Sequence, residues 1–353
     1  MIETITAQVE EVVFSDRYVS KFIIRRDGKP YDCINYKPLT GEVQVNDAVL
    51  LNTTAAEFGL SSGGYHFVLA NLSRETYTNI GEGHIIKLRY TPMQINCMVA
   101  EAQESQYHEV FNSFESLENM PVIVGTLHSM VAPIALTLKN IANKDRIVYI
   151  MTDGGALPIW MSEAVKRLCE EGVLKGTITY GNAFGGDIEC INVYTALIAA
   201  KEILRADAVI ICMGPGIAGT DTSYGFSGIE QSQIIDAVNN LKGKAIAALR
   251  ISFADSRSRH YGLSHHSKMT LGKLCCTKAN IALPSLGTPK AEILNSQLAD
   301  SGILSKHVVS FWSSEEVEKL LEKEESHLEK MGKSYCQDKE YFITCGLSAF
   351  LAI

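Results

Sequence analysis

Apolar and polar residues alternate with period two in the first part of the chain, which predicts short β-strands with one buried face. The clearest examples are Thr4–Phe14 and Val19–Ile24, followed by an Asp27-Gly28 turn of the type that joins hairpin strands. The pattern predicts further strands over 31–35, 41–45, 48–52 and 66–70. Closely spaced strands with glycine turns indicate a small β-barrel domain over residues 1–90.

From Met120 onward the pattern changes to continuous apolar runs that alternate with amphipathic stretches. The runs predict strands over 121–127, 146–153, 176–180, 208–213, 244–251, 280–284 and 307–311. The intervening stretches predict helices over 130–141, 157–171, 191–204, 229–241, 267–276, 291–300 and 314–330. Such alternation is typical of a doubly wound, Rossmann-like α/β domain with a mostly parallel sheet, here over 120–353. Residues 91–119 are a connecting segment with a predicted helix over 100–118.

Composition narrows the class of protein. The chain has 353 residues and a net charge of −8, so a general nucleic-acid binder is not expected. Its apolar runs are all shorter than the roughly 18 residues that a membrane span needs. The nine cysteines form no CxxC pair, which is typical of reduced thiols in a cytoplasmic protein. The apolar C-terminus, 341–353, predicts a buried helix or a homodimer contact.

The loops that follow the predicted strands carry most of the glycine and polar residues. They include Asp153 after the second strand, Asn182 and Asp187 after the third, and the stretch Gly214–Thr222 after the fourth. Ligands of open α/β sheets bind at the carboxyl ends of the strands. We therefore expect these loops to converge on one site.

The loop after the fourth strand matches G-x-G-x-x-G through Gly214, Gly216 and Gly219, with Thr220 next to it. Glycines allow backbone amides to approach a phosphate or carboxylate closely. A dinucleotide site is disfavoured, because the next helix begins only near Ser227 and the next strand leads into an arginine. The motif therefore predicts anion binding; the ordinary structural explanation is a sharp glycine turn against the sheet.

The segment 250–266 holds the densest group of chemically active side chains. Arg250, Arg257 and Arg259 suit bidentate binding of a phosphate or carboxylate, although they could also form salt bridges with aspartates. His260 and His265 are candidate catalytic acids or bases, with Asp153 and Asp187 holding a cation or orienting a histidine.

A second interpretation makes part of this segment a divalent-metal site. Its candidate ligands are His265, His266 and Asp255. The H-x4-H-H spacing matches no common zinc signature, so the alternatives of metal ligation and acid–base chemistry both stay open. No other cofactor is predicted.

The phrases Thr152-Asp-Gly-Gly-Ala-Leu-Pro158, Gly214-Pro-Gly216 and Ser252-Phe-Ala-Asp-Ser-Arg-Ser-Arg-His260, together with Ser264-His-His266, resemble an uncharacterised family from Gram-positive bacteria. The resemblance covers nearly the whole chain and implies a bacterial cytoplasmic protein with a small barrel and an α/β domain. It implies no activity, substrate or catalytic residue.

These observations predict an enzyme that acts on a small phosphorylated or carboxylated metabolite. Two alternatives remain open. The α/β part could bind a nucleotide or metabolite without turnover, as a sensory module, or the polar cluster could be a structural salt-bridge network in a scaffold.

Overall fold

A computed structural model describes residues 2–57 and 63–353, so Met1 and residues 58–62 of the predicted barrel lie outside the description. The chain divides into two compact units, Met1–Cys97 and Met98–Ile353.

The first unit contains a six-stranded sheet and a separate short hairpin. The strands are β1 (Thr4–Gln8), β2 (Glu11–Ser15), β3 (Val19–Arg26), β4 (Lys29–Tyr36), β5 (Ala48–Asn52), β6 (His66–Asn71), β7 (Ile85–Lys87) and β8 (Ile95–Cys97), with two short helices, α1 (Lys37–Thr40) and α2 (Thr54–Glu57). The sheet order is β1-β5-β6-β4-β3-β2, and β7 pairs with β8. All neighbours in the sheet are antiparallel except β4 and β6.

This sheet curls into a half-barrel, which confirms the predicted small barrel-like domain. Alternate residues such as Phe22 and Ile24 on β3 are fully buried in its core. Asp27 and Gly28 both have positive φ, as a tight hairpin turn requires. Two strand predictions need correction: the 4–14 run breaks between β1 and β2, and 41–45 forms no strand.

The second unit is built on eight parallel strands. They are β9 (Pro121–Val124), β10 (Ile147–Thr152), β11 (Gly176–Tyr180), β12 (Ile188–Cys190), β13 (Ala208–Met213), β14 (Lys244–Ala247), β17 (Asn280–Pro284) and β18 (Val308–Trp312), in the order β12-β11-β10-β13-β9-β14-β17-β18. Two antiparallel pairs lie outside this sheet: β15 (Ile251–Ser252) with β16 (Gly262–Leu263), and β19 (Glu329–Lys330) with β20 (Lys333–Ser334).

Helices connect the parallel strands. They are α3 (His108–Asn112), α4 (Val131–Asn140), α5 (Glu163–Glu170), α6 (Val193–Glu202), α7 (Glu230–Asn240), α8 (His265–Ser267), α9 (Lys290–Ser301), α10 (Ile303–Lys306), α11 (Glu315–Lys323) and α12 (Lys339–Leu347), with a π-helix over Lys268–Leu274. Helix α12 is almost entirely buried, as the apolar C-terminus predicts.

Successive residues of each central strand point into opposite cores, which makes the fold doubly wound. On β9, Ile123 packs in the layer that contains α4, α5, α11 and α12, whereas Val122 and Val124 pack in the layer of α6, α7 and α9. Because both faces are covered, the strands read as continuous apolar runs in the sequence. The predicted α/β fold is confirmed.

In the sheet, the central strand β13 lies between β9 and β10, although β10 directly follows β9 in the sequence. From β9 the chain runs outward through β10 and β11 to β12, with α4 and α5 on one face, and then returns to β13 and β14 with α6 and α7 on the other face. Such a switch point leaves a crevice at the carboxyl ends of the strands.

Several element boundaries differ from prediction. The 244–251 run ends as a sheet strand at Ala247, and the 267–276 helix is a π-helix. The connecting helix is limited to His108–Asn112, and the three-residue strand β12 was not predicted. Within the described ranges, no helix combines the length and the apolar character needed to cross a membrane.

Candidate functional site

The segment 250–266 folds back on itself at the carboxyl edge of the sheet. Strand β15 pairs with β16, so the two ends of the segment lie side by side. The Ser264 amide donates to the Arg250 carbonyl at 2.9 Å, and the Arg250 amide donates to Ser267 Oγ at 3.0 Å. Ser264 also caps α8, where its Oγ accepts from the His266 amide. The fold-back therefore brings Arg250 next to the histidine pair.

A cavity of about 170 Å³ lies between this segment and the loop that follows β13. We call it the histidine–arginine pocket; it is lined by Ile217, Ala218, Gly219, Thr220, Asp221, Thr222, Gly225, Phe226, Arg250, Arg257, Arg259, His260, His265, His266 and Met331. Seven residues proposed from the sequence as anion or proton handlers thus share one cavity: Gly219, Thr220, Arg250, Arg257, Arg259, His260 and His265.

The three histidine rings of the pocket contact one another. The ring centroid of His260 lies 5.1 Å from that of His265 and 4.9 Å from that of His266, and the last two are 4.4 Å apart. The Phe226 ring stacks on His266 at 4.0 Å, with the planes 6° apart. This packing fixes the rings as one aromatic cluster on the wall of the pocket.

Burial keeps these histidines neutral. It lowers the pKa of His260 to about 3, and the positive charges of Arg250 and Arg257 act in the same direction. Burial also lowers the pKa of His265 and of His266, again with help from nearby arginines. At neutral pH each ring therefore has one nitrogen able to accept and one able to donate.

His260 already uses both ring nitrogens. Its Nδ1 is 2.8 Å from Ser264 Oγ, and its Nε2 accepts from Arg259 Nε at 3.3 Å. Because arginine can only donate, the network assigns the ring proton to Nδ1. His260 is therefore held in one tautomer by its neighbours.

Two of the arginines converge on one carboxylate. Arg257 binds Asp255 through Nε and Nη2, each at 2.9 Å, and Arg250 Nη2 binds the same carboxylate at 3.0 Å. The hydrogen bond from Arg257 is the largest influence that lowers the pKa of Asp255 well below its usual range. These residues therefore form the salt bridges that the sequence offered as an alternative. Because one carboxylate faces two guanidinium groups, the three side chains together keep a net positive charge.

The third arginine, Arg259, pairs with Asp221 on the loop that follows β13. This loop forms a small β-hairpin, which we call the flap (Gly219–Phe226). The Thr220 amide donates to the Gly225 carbonyl at 2.8 Å. Asp221, at the turn, has φ of 64° and a side chain that is 70% exposed. The Arg259 pair therefore lies at the mouth of the pocket.

Three side chains that line the pocket carry buried nitrogens with no protein partner. Among the described residues, Arg250 Nε, both ring nitrogens of His265 and Nδ1 of His266 accept or donate no hydrogen bond. Arg250 is only 2% exposed. A buried polar atom without a partner is costly, so these four atoms, on side chains that share one cavity, are a place where bound water or a ligand would be stabilised.

The remaining glycines of the G-x-G-x-x-G stretch have a packing role. A Cβ on Gly214 would lie 2.6 Å from the Ala156 carbonyl oxygen, and the Ala156 amide donates to the Pro215 carbonyl at 2.7 Å. Neither Gly214 nor Gly216 lines the histidine–arginine pocket. The sharp-turn explanation thus describes these two, while Gly219 and Thr220 reach the pocket. The helix start predicted near Ser227 is confirmed by a 3-10 turn over Ser227–Ile229.

The other predicted site residues lie elsewhere. Asp153 and Asn182 are at the carboxyl edge, where Asp153 Oδ2 accepts from the Asn182 amide at 3.0 Å, but neither lines the pocket. Asp187 accepts from the amide and hydroxyl of Thr177, the second residue of β11. Its predicted position at the carboxyl edge is therefore wrong, because the chain returns along the sheet to begin β12.

Sequence reasoning missed Glu230, the first residue of α7. Its Oε1 accepts from Thr152 Oγ1 at 2.6 Å. Burial raises the pKa of Glu230 to about 7, and the nearby charge of Asp153 adds to the effect. We call Glu230 and Asp153 the carboxyl pair. An acidic residue in the first turn of a helix is common, so only the spatial neighbours distinguish this one.

The metal interpretation gains no support from the geometry. Over residues 2–57 and 63–353, no three His, Cys, Asp or Glu side chains form a group that could hold a metal ion. Asp255, a candidate ligand, is engaged by two arginines. Metal binding by His265, His266 and Asp255 stays a prediction.

A second ionic network connects Ser252, Lys330 and Asp338. Asp338 Oδ1 and Oδ2 each accept from Ser252 Oγ at 2.8 Å, and Asp338 pairs with Lys330 at 2.5 Å. Lys330 is 3% exposed and Asp338 is 1% exposed. Because Lys330 lies on β19, this pair anchors the short hairpin whose tip, Met331, lines the pocket.

Comparison with known proteins gives a family and no activity. No curated protein matches the chain. A family model described as a protein of unknown function, DUF3866, matches residues 32–349. This confirms the resemblance to an uncharacterised family, while a Gram-positive origin stays a prediction. The match begins within β4, so it leaves out β1, β2 and β3, but it covers nearly all of the α/β unit and well over half of the chain. The chain therefore belongs to the family DUF3866.

Proposed function

We propose that this protein binds a small phosphorylated or carboxylated metabolite in the histidine–arginine pocket and is an enzyme that acts on it. The observation that carries the proposal is the set of buried nitrogens without partners: Arg250 Nε, both nitrogens of His265 and Nδ1 of His266. The side chains that carry these atoms line one cavity together with Arg257 and Arg259. A ligand that offers several acceptor oxygens would satisfy the donors among them.

The charge balance of the pocket favours an anion. Arg250, Arg257 and Arg259 face the carboxylates Asp255 and Asp221, so positive charge is in excess while the histidines are neutral. Asp255 is fixed between two arginines. Asp221 is exposed at the flap, so a ligand anion can replace it on Arg259.

His265 is the proposed proton carrier. Among the described residues neither of its ring nitrogens has a hydrogen-bond partner, whereas both nitrogens of His260 are engaged. A neutral imidazole can accept a proton from a bound substrate and return it later in the reaction. In this proposal His260 positions Arg259 and does not itself react. The carboxyl pair lies outside the pocket lining and has no part in the proton transfer.

The first experiment measures binding of inorganic phosphate by titration calorimetry. Arg259→Ala is expected to lower the affinity at least about tenfold, since a hydrogen bond to a charged group contributes roughly 1.5–3 kcal/mol. Arg25→Ala is the matched control, because Arg25 also forms one exposed ion pair, with Glu10. Unchanged phosphate affinity in Arg259→Ala would reject the anion site.

The protein is then incubated with a panel of phosphorylated and carboxylated metabolites, and turnover is detected as phosphate release and by NMR. With a substrate in hand, His265→Gln is expected to abolish turnover and retain binding. If every compound that binds saturably gives no product, the enzyme hypothesis is rejected in favour of the non-catalytic sensory module.

A cytoplasmic bacterial location is part of the proposal. It is supported by the cysteine usage: none of the nine is bonded to another, and five, including Cys190 and Cys212, are buried in apolar surroundings. A homodimer stays a prediction; α12 is packed inside its own unit, so such a contact would use other residues.

A further inference from the structure

A second cavity, of about 430 Å³, opens beside the histidine–arginine pocket. We call it the lysine cavity; it is lined by Asp221, Thr222, Ser223, Arg259, His265, Lys268, Met269, Lys273, Asp300 and Ser301. Four of these residues, Asp221, Thr222, Arg259 and His265, line the first pocket as well. The two cavities therefore share a wall that contains the ion pair at the flap and the proposed proton carrier.

The two cavities differ in volume, and the difference limits the size of the ligand that each can enclose. Small-molecule sites usually enclose about 300–1,000 Å³. The histidine–arginine pocket, at about 170 Å³, is below that range, whereas the lysine cavity, at about 430 Å³, is within it. A metabolite larger than a single anionic group would need both.

Positive charge extends into the lysine cavity. Within the described part of the chain, no hydrogen bond or ion pair engages the ammonium group of Lys268 or of Lys273. The charge of Lys268 reaches the shared wall, because it is one of the charges that lower the pKa of His265. Asp300 also lines this cavity and supplies a negative charge there.

The backbone that carries these lysines has an uncommon geometry. Residues Lys268–Leu274 form a π-helix, and the Cys275 amide donates to the Thr270 carbonyl at 2.8 Å, five residues back. Such segments are rare and occur frequently at functional sites. A Cβ on Gly272 would overlap the Ser301 carbonyl oxygen, so this glycine lets the π-helix pack directly against the end of α9. The packing brings Lys268 and Lys273 to the same cavity as Asp300.

We infer that the two cavities together bind one small molecule with two anionic groups. One group lies in the histidine–arginine pocket and displaces Asp221 from Arg259; the other is bound by Lys268 and Lys273. The inference rests on the proposed function and extends it by naming the substrate class. In this arrangement the part of the molecule that joins the two anionic groups lies next to His265, because His265 lines both cavities.

The test compares ligands with one and two anionic groups. Affinities are measured by calorimetry for inorganic phosphate and for alkanediol bisphosphates of increasing chain length. Alkane dicarboxylates of matching lengths form a second arm, which distinguishes phosphate from carboxylate as the preferred group. The variants are Lys268→Ala/Lys273→Ala and a control, Lys175→Ala/Lys278→Ala, which removes two exposed lysines that line neither cavity.

In the wild type and the control, the best two-headed ligand is expected to bind at least about tenfold more tightly than phosphate, because its second group binds as if at high local concentration. In Lys268→Ala/Lys273→Ala that advantage is lost and phosphate affinity is unchanged. Equal binding of both ligand types by the wild type, or equal weakening of both in the lysine variant, would overturn the inference and leave the anion site intact. Failure of phosphate and of every two-headed ligand to bind the wild type would instead reject the proposed function itself.

Discussion

The histidine–arginine pocket and the carboxyl pair both lie at the carboxyl edge of the parallel sheet, yet they carry opposite charge. In the pocket, burial lowers the pKa of His260 to about 3, while the arginines remain charged. In the carboxyl pair, burial raises the pKa of Glu230 to about 7, while Asp153 supplies negative charge. Desolvation thus disfavours the charged form in both places, but acids and bases respond in opposite directions.

This difference polarises the edge of the sheet. Loops after β10 and β13 meet where Gly155 packs against the Gly214 carbonyl, and the connection after β13 carries first the flap of the pocket and then Glu230 of the carboxyl pair. An anion entering the crevice is attracted toward the arginines and repelled by Asp153. Under the proposed function an anionic group would bind on the side of the arginines, and this can be tested by changing the groups that set the charge on each side.

The largest effect is expected from Arg250→Met, which removes the buried charge of the pocket. Loss of one partner from a buried ion pair costs about 3 kcal/mol or more. We expect about 3 kcal/mol, the lower end of that range, because Asp255 keeps its two hydrogen bonds with the Arg257 guanidinium. Arg250 and Asp255 are 2% and 9% exposed in their side chains. Urea unfolding measures the change. Arg257→Met, at a side chain that is 42% exposed, is the control and should cost about 1 kcal/mol or less. Equal costs would show that burial does not distinguish the two arginines.

The next effect is the acid sensitivity that His266 confers. Burial lowers the pKa of His266 in the folded state, so between pH 7 and pH 5 the unfolded chain takes up a proton that the folded protein does not. Stability therefore falls as the pH falls, by about 2 kcal/mol for such a histidine. His266→Gln should flatten the dependence of unfolding free energy on pH by that amount. His84→Gln, at an exposed histidine, should retain the wild-type slope. An unchanged slope in His266→Gln contradicts the burial argument.

Glu230→Gln tests the other side of the comparison and has the opposite sign. Because the pKa of Glu230 is raised to about 7, the folded protein holds a proton that the unfolded chain releases above its ordinary pKa of 4.5. Wild-type stability therefore declines as the pH rises from 5 to 8, by roughly 2–2.5 kcal/mol. Glutamine can still accept from Thr152, so the variant should gain relative stability over that range. Denaturant titrations at several pH values measure it, and Glu163→Gln, in the first turn of α5, is the control.

The smallest effect is expected from Asp221→Asn, which removes the carboxylate that competes for Arg259. An exposed ion pair contributes roughly 0.2–1 kcal/mol, so phosphate affinity should rise by no more than about fivefold. Asparagine tolerates the positive φ of 64° at this position, which makes the change conservative for the backbone. Calorimetry with inorganic phosphate is the measurement. Weaker binding in Asp221→Asn would mean that Asp221 supports the site and does not compete with the ligand.

Much of the fold could be predicted because the physical signal is local. Strands buried on both faces appear as uninterrupted apolar runs, and β11, β13 and β17 have the bounds that the runs predict. The pocket was found for a similar reason: 250–266 holds more charged and titratable side chains than a soluble loop requires. The fold-back through β15 and β16 keeps these neighbours in sequence close in space.

The errors arose where position depends on distant parts of the chain. Asp187 follows β11 in sequence, but the three-residue β12 is too short to give an apolar pattern, so the return of the chain was not visible. In the sequence, Glu230 looks like any acidic residue in the first turn of a helix. Its contacts with Thr152 and Asp153 exist because β13 lies beside β10, which is set by the strand order of the whole sheet.

The place of β13 in that order has a consequence for synthesis of the chain. Strands β9 and β10 are made before β13 but are never neighbours, because β13 lies between them. A nascent chain that ends before Ala208 therefore has two buried strands with unpaired edges and apolar faces, which are prone to pair with other chains. The ribosome must deliver residues 208–213 before the middle of the sheet can close, so truncations upstream of this strand should aggregate where those downstream of the sheet remain dispersed.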